Sequence, residues 1–353
     1  MVTFSLIIIV MYAILVCWFY RGWNKTPDFF VQQTEFPLSV SVVVCAHNEE
    51  ESLPRLLDSL SNQSCSPYEI VVVNDHSTDG TANVLEDWKS KMSNLKVVNP
   101  KGRGKKKSLA EGVAACKGEI ILQTDADCMV SSEWVETISS SFSDKRCDLL
   151  IGPVAMNYSN CWEAAQSLEF LSLVASGAGA AGNERAIMCN GANLAYKKDL
   201  WTRNAGKQHS ELLSGDDMFL LLAAKKEKAK ILFLKSKEAI VWTYPCRTLQ
   251  DFIRQRQRWA SKSGSYRDAD VIMVAMGVMA VALTPIVDLL FGKWQLFLGM
   301  IFFKMIVDFI FLRKVSVFFG LEKSVNMIFF VELLYPFYIV YCGFSGLFRK
   351  KSW

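Results

Sequence analysis

The sequence predicts an α/β domain built on a parallel sheet, set between an N-terminal transmembrane anchor and C-terminal transmembrane helices. Three observations carry this. An uncharged apolar run opens the chain, β-branched runs alternate with amphipathic stretches from residue 38, and further apolar stretches follow Asp270. The expected organisation is an anchor over 1–22, one domain over 38–262, and about three transmembrane or membrane-embedded helices over 270–348.

The opening run, Val2 to Tyr20 (VTFSLIIIVMYAILVCWFY), holds no charge. At about 1.5 Å per residue it is long enough to cross a bilayer. A cleaved signal peptide would need a basic segment before the run and small residues at a cleavage site after it. Arg21 and Lys25 follow instead, which marks a retained anchor with its C-terminal end in the cytoplasm.

From Leu38 the pattern changes. SVSVVVCA (39–46) is a near-continuous apolar run, as expected of a strand buried on both faces. Asn48 to Leu60 has helical spacing, with Leu53, Leu56, Leu57 and Leu60 on one side. YEIVVVND (68–75) reads as the second strand, Ala82–Lys91 as a helix, and Leu95–Val98 as a short third strand. Lys107–Cys116 is the next helix, and GEIILQTDAD (118–127) a fourth strand that ends in carboxylates. Strand–helix alternation implies a parallel sheet with right-handed crossovers. Ligands of such sheets sit beyond the carboxyl ends of the strands. This chain places His47-Asn48-Glu49, Asp75 and Asp125–Asp127 there.

Composition narrows the function. A net charge of +4 over 353 residues carries no nucleic-acid signal. The ten cysteines form no CxxC pair, and the three histidines (His47, His76, His209) have no zinc-ligand spacing, so the cysteines read as reduced thiols of a cytoplasmic domain.

Each polar motif has a bland reading and a functional one. Asp75, opening NDHSTDGT, either satisfies a turn or hydrogen-bonds a nucleoside, as a ribose-binding acid does. Asp79 is placed to cap the following helix. KGRGKKKS (101–108) is neither a P-loop nor GxGxxG; it is a solvated loop, or basic groups entering a helix N-terminus that suits phosphate. Asp125 and Asp127, one residue apart at a strand end, repel each other, and a hard divalent cation shared with substrate phosphates would relieve that. Gly215-Asp216-Asp217 precedes the helical run Met218–Ala224. It is a helix cap, or a general base whose neighbouring acid raises one pKa.

QRQRWASKSG (255–264) lies just before the next apolar stretch, either as a basic collar or as part of an active site. The later apolar stretches are Val271–Phe291, Gln295–Leu312 and Asn326–Phe348; Glu332 and Pro336 predict that the last is broken or re-entrant. Three spans after a cytoplasmic domain put the C-terminus outside, whereas Arg349, Lys350 and Lys351 favour the inside. Asp288, Lys304, Asp308 and Glu332 lie within apolar spans and are expected to face a protein interior, with Lys304 and Asp308 paired at i,i+4 or lining an acceptor path.

Taken together, VVVCAHNEEESLPRLLDSL, VVVNDHSTDGT, GKKKSLAEG, LQTDADC, NGANLAY, SGDD and QRQRW resemble the glycosyltransferase family 2 pattern on the Rossmann-like GT-A fold. The resemblance runs from about Val40 to Lys262. It is nearest to the membrane-bound branch of cellulose, chitin, hyaluronan and poly-N-acetylglucosamine synthases, whose catalytic domain ends in Q-x-x-R-W. It implies that Ala46, Asn48, Glu49 and Asp75 border the uridine of a UDP-sugar and that Lys105 lies near the nucleotide. It further implies that Asp125 and Asp127 meet Mg²⁺ or Mn²⁺ with the diphosphate. Asp217 matches the final Asp of the family's T-E-D, its base, and Asp216 replaces the Glu. Gln255, Arg258 and Trp259 match Q-x-x-R-W, near diphosphate and acceptor. His76 departs from the family's usual second acid or small residue.

The implied reaction is inverting, metal-dependent transfer of a sugar to a membrane-associated acceptor, a glycolipid or a growing polysaccharide. The implied location is a bacterial inner membrane, with the catalytic domain cytoplasmic. There are two alternative classes. A sugar nucleotidyltransferase would carry a glycine-rich loop where this chain has AHNEEE, and a non-catalytic nucleotide-sugar-binding subunit would not need both Asp127 and Asp217. A polymer channel needs a ring of helices, which so few spans supply only through a second copy or a partner subunit.

Overall fold

The computed structural model describes residues 1–31, 38–145, 147–204 and 216–348. In chain order the elements are α1 (Val2–Lys25), β1 (Val40–Ala46), α2 (Leu53–Ser61), β2 (Glu69–Asn74), α3 (Thr81–Lys89), β3 (Leu95–Val98), α4 (Lys105–Ala115), β4 (Ile120–Asp125), α5 (Trp134–Lys145), β5 (Leu149–Ile151) and β6 (Val154–Met156). Then come α6 (Cys161–Gly182), β7 (Leu194–Lys197), α7 (Lys198–Asn204), α8 (Asp216–Lys226), β8 (Ile231–Phe233), β9 (Val241–Thr243), α9 (Leu249–Ser263), α10 (Ala269–Leu290), α11 (Trp294–Phe319) and α12 (Ile328–Phe348). They form two compact units. A sheet unit comprises Thr26–Ala155 with Met188–Tyr244, and a helical unit comprises Met1–Lys25, Met156–Ile187 and the chain from Pro245 onward.

Among the described residues, the main sheet of the sheet unit holds seven strands in the order β3-β2-β1-β4-β7-β5-β8, and β6 and β9 form a second, two-stranded sheet. Central β1 pairs in parallel with β2 and β4, and Val42, Val43 and Val44 are fully buried, as a strand covered on both faces requires. The leucines of α2 (Leu53, Leu56, Leu57, Leu60) are all buried, so the 3.6-residue spacing found its core. The parallel sheet expected of the first four strands is found, and beyond them β7 runs antiparallel to both β4 and β5. A 3₁₀ turn at Gly191–Asn193 delivers the chain to the carboxyl edge of β4, with Leu194 opposite Gln123, and β7 runs back down from there. That reversal puts the Asn190–Asn193 turn among the strand ends.

The helical unit holds α1, α6 and α9–α12. Among the described residues, four segments are long and apolar enough to cross a membrane: Val2–Lys25, Ala269–Leu290, Trp294–Phe319 and Glu322–Gly346. α12 continues through Pro336 as one helix, so the expected break there is absent. α6 was not foreseen from the sequence. It crosses α1 at a contact of two glycines, where a Cβ on Gly179 would meet the Phe19 carbonyl oxygen at 2.4 Å. Asp288, Lys304, Asp308 and Glu332 are all buried among the apolar helices. Lys304 Nζ donates to Asp308 Oδ2 at 2.7 Å and Glu332 Oε2 at 2.6 Å, Tyr12 Oη donates to Asp308 Oδ1 at 2.7 Å, and Ser5 Oγ donates to Asp288 Oδ2 at 2.8 Å. Pairing is therefore the arrangement the side chains adopt, since a lone charge in an apolar bundle is costly. Arg349, Lys350 and Lys351 lie outside the described residues.

Candidate active site

The carboxyl edge of the sheet gathers polar groups from five segments of the sheet unit. β1 ends at Ala46, whose carbonyl accepts from the Asp75 N–H at 2.8 Å and so aligns the loops after β1 and β2. Asn48 stands at φ 58°, a left-handed conformation that Asn tolerates better than most residues. Its Oδ1 accepts from the Thr78 N–H at 2.8 Å, and its own N–H donates to Ser77 Oγ at 3.0 Å. The Glu49 N–H donates to Thr81 Oγ1 at 2.8 Å, and Ser52 Oγ donates to the Glu49 carboxylate. Burial raises the Glu49 carboxyl; the Ser52 bond opposes this, and Asp127, Asp125 and Asp79 add to it. Asp79 accepts from the Thr81 N–H at 3.0 Å, at the start of α3, as its capping position implied.

Asp75 is 4% exposed. Its carboxylate accepts from the Gly104 N–H at 3.1 and 3.2 Å, and His76 Nδ1 lies 3.1 Å from its Oδ1. His76 is also left-handed, at φ 55°. Gly104 has φ 99°, open to glycine, and this turns its N–H toward Asp75 just before α4 begins. The basic run is therefore not a free loop: its glycine is tied to the end of β2.

α4 opens with Lys105, whose Nζ lies 2.5 Å from Asp125 Oδ1. Burial opposes the charge on Lys105, but Asp125, with smaller help from Cys45 and Asp217, holds its pKa above the ordinary lysine value. Asp127 lies two residues on, with an exposed side chain. Cys128 Sγ is 3.6 Å from its Oδ1, and no basic side chain pairs with it among the described residues. Its carboxyl is raised by the protein atoms crowded around it and by Asp125. The two acids of the D-x-D are thus unlike. Asp125 has a cation and Asp127 lacks one.

The reversed strand supplies the remaining side. The Asn190 side chain accepts from the Ala192 N–H, which shapes the turn, and the Gly191 N–H donates to Asp217 Oδ2 at 3.1 Å. Asp217 Oδ1 accepts from the Met218 N–H at 2.8 Å. Asp217 therefore sits in the first turn of α8 and is also held against the 3₁₀ turn. Lys106 Nζ lies 5.6 Å from the centre of the Phe219 ring. Fully buried Asn193 donates to the carbonyls of Pro153 and Ala239, both at 2.8 Å, and accepts from Trp134 Nε1 at 3.1 Å. No residue pattern marked Asn193 as the anchor of this turn, because its partners are remote in sequence. The Asp216 side chain and His209 lie outside the described residues.

Gln255, Arg258 and Trp259 belong to α9 of the helical unit. Arg258 is exposed, whereas Arg256, which the motif leaves unspecified, is 5% exposed. Arg256 pairs with Glu169 of α6, and Glu169 also accepts from Tyr338 Oη at 2.9 Å. Glu169 and Arg256 carry no family signal; only their burial reveals them.

Two carboxylates at a strand end, one of them without a cation, fit a divalent ion that takes most of its ligands from a bound diphosphate. The described residues contain no group of three His, Cys, Asp or Glu side chains able to hold a metal alone.

The family model "Glycosyl transferase family 2" matches residues 41–202. The glycosyltransferase AglE of Haloferax volcanii is 24% identical over 62% of this chain and 71% of its own length. The cholesterol galactosyltransferase of Borreliella burgdorferi is 28% identical over 31% of each chain. The mannosyltransferase PcManGT from Pyrobaculum calidifontis, solved with GDP-Man and Mn²⁺, is similar in fold with a TM-score of 0.60. It is 15% identical and covers 98% of this chain and 99% of its own. Asp217 and the QRQRW segment lie beyond the residues that the family model matches. Residues 41–202 are a glycosyltransferase family 2 domain of GT-A fold, and the protein that carries it is a glycosyltransferase.

Proposed function

We propose that the protein is an inverting, metal-dependent glycosyltransferase that moves a sugar from a UDP-sugar to a membrane-associated acceptor. The observation that carries this is the convergence of Lys105, Asp125, Asp127 and Asp217 at one edge of the sheet, in a chain with four helices able to cross a membrane. Ala46, Asn48, Glu49 and Asp75 border the nucleoside, and Lys105 and Asp125 flank the diphosphate. Asp125 and Asp127 would hold Mg²⁺ or Mn²⁺, which supplies charge neutralisation to the departing nucleotide.

Asp217 removes the acceptor proton while the hydroxyl attacks the anomeric carbon from the face opposite the leaving group. One displacement inverts that centre. The Gly191 N–H keeps the Asp217 carboxylate in one orientation, and the fixed positive groups need no rearrangement as charge develops on the leaving group. Asp216 stands beside the base, and Gln255, Arg258 and Trp259 serve diphosphate and acceptor.

The membrane helices favour an acceptor held in the bilayer, in the inner membrane of a bacterium with the catalytic domain cytoplasmic. A glycolipid acceptor needs only this chain. The polymer form, as in the synthase branch the motifs resemble, requires a second copy or a partner subunit to complete a channel. The nearest division of labour is an anchor (1–22), a catalytic domain (38–262) and membrane helices (270–348).

The test is nucleotide release and label transfer in native membranes, across a panel of UDP-sugars with GDP-mannose included. Label in solvent-extractable lipid supports the glycolipid form, and label in high-molecular-weight material supports the polymer form. Label confined to small water-soluble products would overturn both, and no transfer with any donor would favour a binding subunit.

A further inference from the structure

The helical unit contains a buried charged cluster that the transfer chemistry does not use. Arg256 and Glu169 are 5% and 6% exposed. Arg256 Nε donates to the Glu169 oxygens at 3.2 and 3.1 Å, its Nη2 completes the fork, and Tyr338 Oη donates to Glu169 Oε1 at 2.9 Å. The remaining nitrogen, Nη1, donates to Gln255 Oε1. The guanidinium carbon lies 4.3 Å from the centre of the Trp259 ring and 4.4 Å from that of Phe252. One side chain thus touches both the first and the last residue of the Q-x-x-R-W motif.

Stability does not explain this arrangement. A buried ion pair is commonly no more stabilising than well-packed apolar residues of the same volume. What an apolar pair cannot do is orient an amide. Arginine has donors and no acceptor, so the Gln255 carboxamide must turn its oxygen to Arg256. Its two N–H donors are then what Gln255 has left to offer an oxygen-rich ligand. The same guanidinium packs against the Trp259 indole and restricts its tilt.

We infer that Arg256 is a positioning residue of the transfer reaction: anchored by Glu169 and Tyr338, it presents the Gln255 amide donors and the Trp259 ring to the substrates. This rests on the proposed role of Gln255 and Trp259 at the diphosphate and acceptor. Arg256 itself touches neither substrate. Its anchors lie on α6 and on α12, so two helices outside the motif set the geometry of the motif.

A double-mutant cycle on the full-length protein tests it. Gln255→Ala should lower kcat, and Glu169→Gln should lower kcat roughly tenfold, within the range of coupled neighbours. Thermal unfolding should change little in Gln255→Ala, whereas Glu169→Gln, which leaves Arg256 buried without its counter-charge, should also lower the melting temperature. The double variant should lose less than the product of the two single effects, because Glu169 acts largely through Gln255 and only the part carried by Trp259 remains to be lost. Tyr338→Phe, which removes one hydroxyl, gives the same cycle if Glu169→Gln does not fold. Arg256→Lys should not restore turnover, since an ammonium cannot reach a carboxylate and an amide in one plane. If Gln255→Ala turns over normally, the motif's role fails and the positioning inference falls with it. If Gln255→Ala is slow but the double variant loses the product of the two single effects, the inference alone is overturned.

Discussion

Lys105 Nζ lies 2.5 Å from Asp125 Oδ1, so the first residue of one helix neutralises the last residue of the strand beside it. Asp127 has no such partner among the described residues, and its carboxyl is raised by its crowded surroundings and by Asp125. The vacancy of charge is at Asp127.

Metal dependence should therefore concentrate on Asp127. Chelation is expected to abolish transfer, and Asp127→Asn to remove Mn²⁺ binding in the presence of UDP, read by electron paramagnetic resonance, while the fold is retained. Full activity of the purified enzyme in excess EDTA would discard the metal.

Asp217 can be separated from a mere cap by a single isosteric change. Asparagine keeps one oxygen, which can serve the Gly191 or the Met218 N–H but not both, and it caps a helix as well as aspartate does. Asp217→Asn should nevertheless lower turnover by about a hundredfold or more, the scale of general base catalysis, with UDP binding unchanged. Near-normal turnover would leave Asp217 as a cap only.

Acid stability should depend on Glu69, the first residue of β2, which is 1% exposed. Burial opposes its charge, but the bonds from Lys96, the Lys117 N–H and Ser41 outweigh this and lower its pKa. A carboxyl lowered on folding stabilises the protein above its unfolded pKa, and this contribution is lost as pH falls through the folded value. Glu69→Gln should destabilise the protein at neutral pH and flatten the decline of melting temperature below about pH 4.3, the ordinary glutamate value. An unchanged acid limb in that variant would contradict the assignment.

The membrane cluster predicts a strong dependence on Lys304. Lys304→Met leaves the Asp308 and Glu332 carboxylates buried together without their cation. The expected loss is about 3–5 kcal/mol, the cost of breaking a buried pair from one side. Thermal unfolding in detergent measures it, and Lys304→Met with Asp308→Asn and Glu332→Gln should recover much of the loss.

The strands β1 to β4 and the helices between them were legible in the sequence because their order is local. A run such as VVVCA must be buried on both faces, and the leucines of α2 repeat at the helical period. The polar residues at the strand ends were legible for the same reason, since a parallel sheet gathers its carboxyl ends on one side. The reversal at β7 was not, because the 3₁₀ turn that causes it is held by Asn193, whose partners Trp134, Pro153 and Ala239 are 40 or more residues away.

Periodicity, turn chemistry and hydropathy act over a few residues, so the sequence by itself determined the long apolar helices, the α/β alternation and the acids at its carboxyl edge. Pairing acts over any distance in the chain. Only the tertiary structure decided that Asp125 is neutralised and Asp127 is not, that Asp217 is held by the Gly191 N–H, and that Arg256 rather than Arg258 is the buried arginine of the QRQRW segment. The reason is common to all three. A charge takes its state from the nearest opposite charge and from the water left around it, and folding alone sets both.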